Sequence, residues 1–140
     1  MDNIKPQSTQ RPFIVSQEIN QNDITEKIIG CCIEVHQRLG PGLLESIYEN
    51  ALCIEFDLNK INYERQKGFS VNYREKFIGD FRMDLIVENQ VVVELKCVQR
   101  FDPVFEAQIL SYMKLGNFKL GLLINFNSKM FRDGIKRYIL

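Results

Sequence analysis

The stretch Val91-Val92-Val93-Glu94-Leu95-Lys96 restricts what this chain can fold into more than any other. Three consecutive valines read as a strand with both faces covered, which places it inside a sheet. Yet the run closes on a carboxylate and an amine, and residues two apart share one face of a strand. Only Glu88-Asn89-Gln90 separates it from a second strand-like run over 81–87, which carries an acid of its own, Asp84. If those three residues form the hairpin loop, pairing is symmetric about Asn89 and Asp84 lies opposite Glu94, with Cβ atoms roughly 5 Å apart. A two-residue loop, Asn89-Gln90, would send the two acids to opposite faces. Buried like charges are costly unless they are paired or hold a cation. The three-residue register therefore predicts a site in which two hard oxygen donors suit magnesium or manganese, with Lys96 beside them.

At 140 residues the chain is long enough for one domain with a real core, and its 45% hydrophobic and 26% charged residues are ordinary for such a domain. No apolar run approaches membrane-spanning length, and the polar start Met1-Asp2-Asn3-Ile4-Lys5 is not a signal peptide. The expectation is a cytoplasmic protein with no membrane partner. Cys31, Cys32, Cys53 and Cys97 lack C-x-x-C spacing, which argues against a zinc knuckle or an iron–sulfur cluster and for reduced thiols. Formal net charge is zero but unevenly spread: residues 1–59 carry nine acids and four bases, residues 60–140 nine acids and fourteen bases. Lys129, Arg132, Lys136 and Arg137 form the densest basic cluster. Such a distribution permits a face turned towards nucleic acid and equally permits a merely solvated one.

Residues 1–21 are polar, rich in Gln and Asn and broken by Pro6 and Pro12, and read as a flexible N-terminal arm ahead of a single domain over 22–140. Asp23 and Glu26 resemble a capping box, followed by Ile24, Ile28, Cys31, Val35 and Leu39 at helical spacing until Gly40-Pro41. A second helix is expected from Gly42-Leu43 to about Leu58. Strands are expected over 61–66, 69–73, 77–87 and 91–98. Asp102-Pro103 reads as N-cap and first residue of a helix ending at Leu115-Gly116, ahead of a buried strand over 119–126 and a short element over 128–140. The order α-α-β-β-β-(β)-α-β predicts an α/β fold with a mixed central sheet flanked by helices, its last strand–helix–strand unit a right-handed crossover between parallel strands.

Asp84, Glu94 and Lys96 form the pattern D-x9-E-x-K. Two carboxylates, with the carbonyl of Leu95 as a further ligand, could hold a divalent metal that polarises a phosphodiester and activates water. The ammonium of Lys96 could orient that water or stabilise developing charge. Glu45 and Tyr48 are one turn apart in Gly42-Leu43-Leu44-Glu45-Ser46-Ile47-Tyr48. Glu45 then either borders the buried side or simply complements the helix dipole. Gln108 and Tyr112 share a face of the third helix, as they would in any amphipathic helix. His36, the only histidine, has no partner for a nucleophile triad and reads as structural, and Gly40-Pro41-Gly42 follows no strand as a phosphate loop would.

Together Gly42-x-x-Glu45-x-x-Tyr48, Asp84, Glu94-Leu95-Lys96, Gln108-x-x-x-Tyr112, Gly121-Leu122-Leu123-Ile124-Asn125-Phe126 and Gly134-Ile135-Lys136-Arg137 resemble the GxxExxY family, a bacterial and archaeal group of the PD-(D/E)xK nuclease superfamily near the RecB-type nucleases. The resemblance runs from about Asp23 to Tyr138. It implies a restriction-endonuclease-like α-β-β-β-α-β core with its active site on the central hairpin and two flanking helices. Asp84, Glu94 and Glu45 would be metal ligands and Lys96 the catalytic lysine, while Gln108 and Tyr112 would line the site and meet the nucleic-acid backbone. Met83 stands where the superfamily name has proline.

Three readings follow. One is a Mg2+- or Mn2+-dependent nuclease hydrolysing phosphodiester bonds of DNA, with RNA the less favoured choice of substrate, by metal-activated water, and a homodimer would let it cut both strands. Another is a non-catalytic nucleic-acid- or partner-binding module on the same fold. The last is a structural ion network with no ligand.

Overall fold

The computed structural model describes the backbone of residues 12–140 and the side chains of residues 23–140. The expected N-terminal arm lies outside these as far as residue 11. From Pro12 onward the chain is helical, and α1 spans Pro12–Leu39. No Gly or Pro interrupts residues 13–29, so nothing stops the helix from extending upstream of the expected start. Asp23 is thus not a helix cap: it pairs with Lys27 one turn on, at 3.3 Å. α2 is Glu45–Leu58 and α3 is Pro103–Gly116, with Asp102 as N-cap accepting from the Val104 amide at 2.9 Å and Asn117 closing the helix in a left-handed conformation.

The strands are β1 (Tyr63–Tyr73), β2 (Lys76–Val87), β3 (Val91–Lys96), β4 (Leu120–Asn125) and β5 (Ile135–Ile139), lying side by side in that order. β3 and β4 are parallel and the other neighbours antiparallel, so the sheet is mixed, with helices on both faces. Two differences from the sequence reading stand out. The expected strands over 61–66 and 69–73 are one, because β1 follows β2 from Tyr63↔Val87 to Tyr73↔Lys76 and Gly68 does not interrupt the ladder. The element over 128–140 is a 3-10 turn, Phe131–Gly134, that delivers β5 to the sheet edge.

Alternation along β3 sorts the core. Val91, Val93 and Leu95 pack with Ile28, Val35, Leu52 and Phe56 of α1 and α2. Val92 packs with Ile109 and Met113 of α3. Glu94 and Lys96, even-numbered like Val92, therefore fall on the α3 side. α3 lies close against β4: a Cβ on Gly121 would come within 2.5 Å of the Met113 sulfur. The described cysteines are free thiols, and Cys31, Cys32 and Cys53 are buried. No helix among the described residues is long and apolar enough to cross a membrane.

Candidate active site

β2 and β3 pair as Val87↔Val91, Ile86↔Val92 and Leu85↔Val93 around the loop Glu88-Asn89-Gln90, in which Glu88 and Asn89 take left-handed backbone angles. This is the three-residue register, and its next step sets Asp84 opposite Glu94. There the regular ladder stops. The Asp84 amide donates to Glu94 Oε2 at 2.9 Å and the Leu95 amide to Asp84 Oδ2 at 2.8 Å. Two carboxylates thus stand in for the backbone acceptors that a closed hairpin would supply.

Asp84 is also where β2 changes faces. Leu85 and Val87 pack towards α1 and α2, and a regular strand would send Met83 the same way, yet Met83 packs with Ile86 against α3. On the other flank the β1–β2 ladder lapses at Gln66 and Asp84, which oppose each other between Arg65↔Leu85 and Lys67↔Met83 with no change of register. Gln66 sits at φ 50°, a left-handed conformation uncommon outside glycine. Its side-chain amide donates to Asp84 Oδ1 at 3.3 Å and to Glu49 Oε1 at 2.9 Å. Arg65 then holds Glu49 by its Nε at 3.0 Å. Asp84 is in this way tied to α2 through Gln66 and Glu49.

Electrostatics follow from this enclosure. Glu94 is only 4% exposed, and burial together with the Asp84 charge pushes its carboxyl up to about 8, against the restraining Asp84 amide and Lys96. Asp84 is raised as well, chiefly by burial, although the Leu95 amide and Gln66 oppose it. Both acids lack the positive charge that would settle their ionised forms. Lys96 acts on them from a distance. Its Nζ lies 4.6 Å from the centre of the Phe105 ring of α3, and it forms no ion pair within 4 Å among the described residues.

Glu45 opens α2 at the mouth of the same region, exposed to solvent. Partial burial raises its pKa, Lys96 lowers it, Asp84 raises it, and the Cys97 amide lowers it by hydrogen bonding. The G-x-x-E-x-x-Y spacing has a structural cause here. Gly42 turns at φ 102°, where a Cβ would be strained, and Tyr48 reaches back to donate to the Gly40 carbonyl while accepting from the Leu43 amide. Tyr48 also stacks on Phe126 at 4.6 Å. The loop before α2 is thereby fastened to the core, and with it Glu45. Tyr112 stacks on Phe81 at 4.4 Å, and its hydroxyl is raised by burial and by the charges of Glu94 and Asp84, so it faces the site. Gln108 is half-buried one turn earlier on the same helix. His36 is structural: its Nε2 donates to the Ser128 carbonyl at 2.7 Å.

Three residues of this region escaped the sequence reading. Glu49 follows Glu45 by four, so it lies on the same helical face, and that spacing was the available signal. Gln66 carried no signal, because its role depends on a left-handed kink in β1 opposite Asp84. Asn125 stood in the Gly121–Phe126 motif of the resemblance but was given no role. It binds Val98 at both the amide (3.0 Å) and the carbonyl (2.8 Å), which fixes the chain just beyond Lys96.

Among the described residues no three Asp, Glu, His or Cys groups converge tightly enough to hold a metal ion as they stand. Magnesium needs fewer, since it keeps several waters and binds through one or two carboxylates. Asp84 and Glu94 meet that requirement, and the Leu95 carbonyl points to the same strand edge as its amide, into the gap between β2 and β3. The donor set is hard oxygen throughout and short of positive charge, so these residues fit a divalent cation.

No curated protein and no solved structure matches this chain. The sequence profile of the PD-(D/E)XK nuclease superfamily, by contrast, matches residues 22–138. That span takes in α2, the open hairpin with Asp84, Glu94 and Lys96, and α3, in the arrangement described above, and the chain therefore belongs to the PD-(D/E)XK nuclease superfamily.

Proposed function

We propose that this protein is a divalent-metal-dependent nuclease of the GxxExxY group, hydrolysing phosphodiester bonds of DNA in preference to RNA in the cytoplasm. The observation that carries this reading is the open end of the β2–β3 hairpin, where Asp84 and Glu94 oppose each other and Lys96 shares the face of Glu94. Asp84, Glu94 and the Leu95 carbonyl would hold magnesium or manganese, which would supply Lewis-acid polarisation of the phosphodiester and a lowered pKa for water.

The chain's own residues do the rest. Lys96, steadied over Phe105 and without an ion-pair partner within 4 Å among the described residues, keeps its donors for the attacking water or the charge growing on the phosphate. Glu45 adds an acid from α2 at the rim. Tyr112 and Gln108 offer a hydroxyl and an amide from α3, where a nucleic-acid backbone would pass.

A non-catalytic binding module is the second reading. It is favoured by the engagement of Glu94 Oε2 and Asp84 Oδ2 with backbone amides, which gives both carboxylates a structural role without a metal. The test is incubation with Mg2+ or Mn2+ and a panel of single-stranded, duplex and branched DNA plus RNA, with Lys96→Ala alongside. Cleavage by wild type, reduced about 10²–10³-fold or more in Lys96→Ala with unchanged folding and binding, is the expected result. Binding without cleavage in either protein would favour the second reading.

A further inference from the structure

The distal half of the β1–β2 ribbon is unlike the rest of the surface. β2 is held by β3 only over Leu85–Val87, so from Met83 outward the two strands have no sheet neighbour beyond each other among the described residues. At the tip, Tyr73, Phe77 and Ile78 are 62%, 64% and 63% exposed. Two features of the backbone keep them there. The pairing shifts between Val71↔Gly79 and Asn72↔Phe77, which leaves Ile78 unpaired and turned out. The turn itself, Arg74-Glu75, has both residues at left-handed angles, φ 48° and 68°. Asn-Gly would make such a turn at lower cost. The chain instead keeps a guanidinium there, 5.8 Å from the centre of the Tyr73 ring.

The register also separates the two rings. Tyr73 is opposite Lys76 and Phe77 opposite Asn72, so one ring lies on each face of the ribbon. A flat protein surface or a second copy laid against one face would cover only one of them. A tip with a ring on either side suits insertion between bases, where both rings find π-faces. Its charge agrees: residues 67–82 hold Lys67, Arg74, Lys76 and Arg82 against Glu75 and Asp80, in a chain of zero formal net charge.

We infer that the β1–β2 tip is a nucleic-acid-binding wedge, in which Tyr73 and Phe77 stack on unpaired bases at a strand opening while Arg74 and Lys76 meet the flanking phosphates. The inference rests on the nuclease reading for the identity of the ligand. The tip is joined to the site by β2 itself. Phe77 is seven residues from Asp84, at most ~23 Å along an extended strand, or roughly seven nucleotides of a stacked strand. The proposed substrate is accordingly one with an unpaired stretch or fork about that far from the bond to be cut.

The test is fluorescence anisotropy in EDTA, where no metal supports cleavage, with a blunt duplex, a forked duplex of the same sequence, and single-stranded DNA and RNA. Wild type is expected to favour forked and single-stranded ligands over the blunt duplex. Tyr73→Ala with Phe77→Ala should lose about 5–100-fold on those ligands and leave blunt-duplex affinity unchanged, with a thermal melt matching wild type. Arg74→Ala with Lys76→Ala should weaken all of them together and flatten the salt dependence. Equal affinity of wild type and the double ring variant for forks would overturn the wedge, as would a change in oligomeric state on removing the rings. A fork preference that depends on the rings, in a protein that cleaves nothing, would keep the wedge and remove the nuclease.

Discussion

At its turn end the β2–β3 hairpin is closed: Leu85, Ile86 and Val87 meet Val93, Val92 and Val91, and all six side chains are essentially inaccessible. One residue further along, the same two strands come apart, and Asp84 and Glu94 take the place of backbone acceptors for two amides. The closed end is held by apolar burial, which is indifferent to pH and ions. The open end is held by charged groups whose ionisation burial opposes. Adjacent residues, Asp84 and Leu85, thus belong to different kinds of structure. Leu85 serves stability, whereas Asp84 sits among buried charges that cost stability unless they are paired or hold a cation.

That contrast can be broken deliberately. The largest stability effect is expected at the closed end, where Leu85→Ala removes a fully buried side chain from the α1–α2 core and should cost about 2–5 kcal/mol in chemical denaturation. A loss below 1 kcal/mol would mean this end is far less tightly packed than the structure shows. A smaller loss is expected from pH in metal-free buffer. The Glu94 carboxyl ionises near its ordinary value when unfolded but at about 8 when folded, so between these pH values the folded state binds more protons. Stability from this group is full below about pH 4.5 and falls as pH rises towards 8, by on the order of 3 kcal/mol. Mg2+ should flatten that slope, because it replaces the missing positive charge. Melts at pH 5 and 8 with and without Mg2+ check this, and a metal-free stability that rises with pH would contradict it.

Side-chain chemistry at the open end separates shape from charge. Asp84→Asn and Glu94→Gln keep an oxygen for the Leu95 and Asp84 amides and remove the repulsion, so each should be as stable as wild type without metal, or more so. Asp84→Ala strands the Leu95 amide and should cost about 1–3 kcal/mol. Equal melts for Asp84→Asn and Asp84→Ala would show that the carboxylate does not close the ladder. The smallest effect is expected at Gln66→Leu, which leaves Asp84 Oδ1 and Glu49 Oε1 without their shared donor. Affinity for Mn2+, measured by calorimetry, should fall about 10-fold, while the closed end stays unaffected.

Much of this was legible before folding. The helices, the parallel β3–β4 pair and the residues of the hairpin follow from periodicity, capping and loop length. The register does not: a two-residue loop was equally open, and only the observed pairing of Val87 with Val91 sets Asp84 opposite Glu94. Glu45 and Tyr112 could be placed on helical faces, though not related to the sheet. Gln66 and Glu49 were not legible as partners: they are 17 residues apart, and they meet where β1 kinks into a left-handed conformation opposite the point at which β2 changes faces. The extension of α1 upstream of Asp23 was missed because a plausible capping box outweighed the lack of any helix breaker before it.

Local sequence therefore determined most of the elements, which two strands form the hairpin, and the identity of the two candidate acids. These depend on short-range sterics and on the two-residue period of a strand, which act between neighbours in the chain. Tertiary structure decided the rest: that the ladder opens at Asp84, that Lys96 rests over Phe105 without an ion pair within 4 Å among the described residues, and that Glu94 holds its proton to about pH 8. Burial and Coulomb energy depend on every group that packs around a charge, and those groups come from segments far apart in the chain.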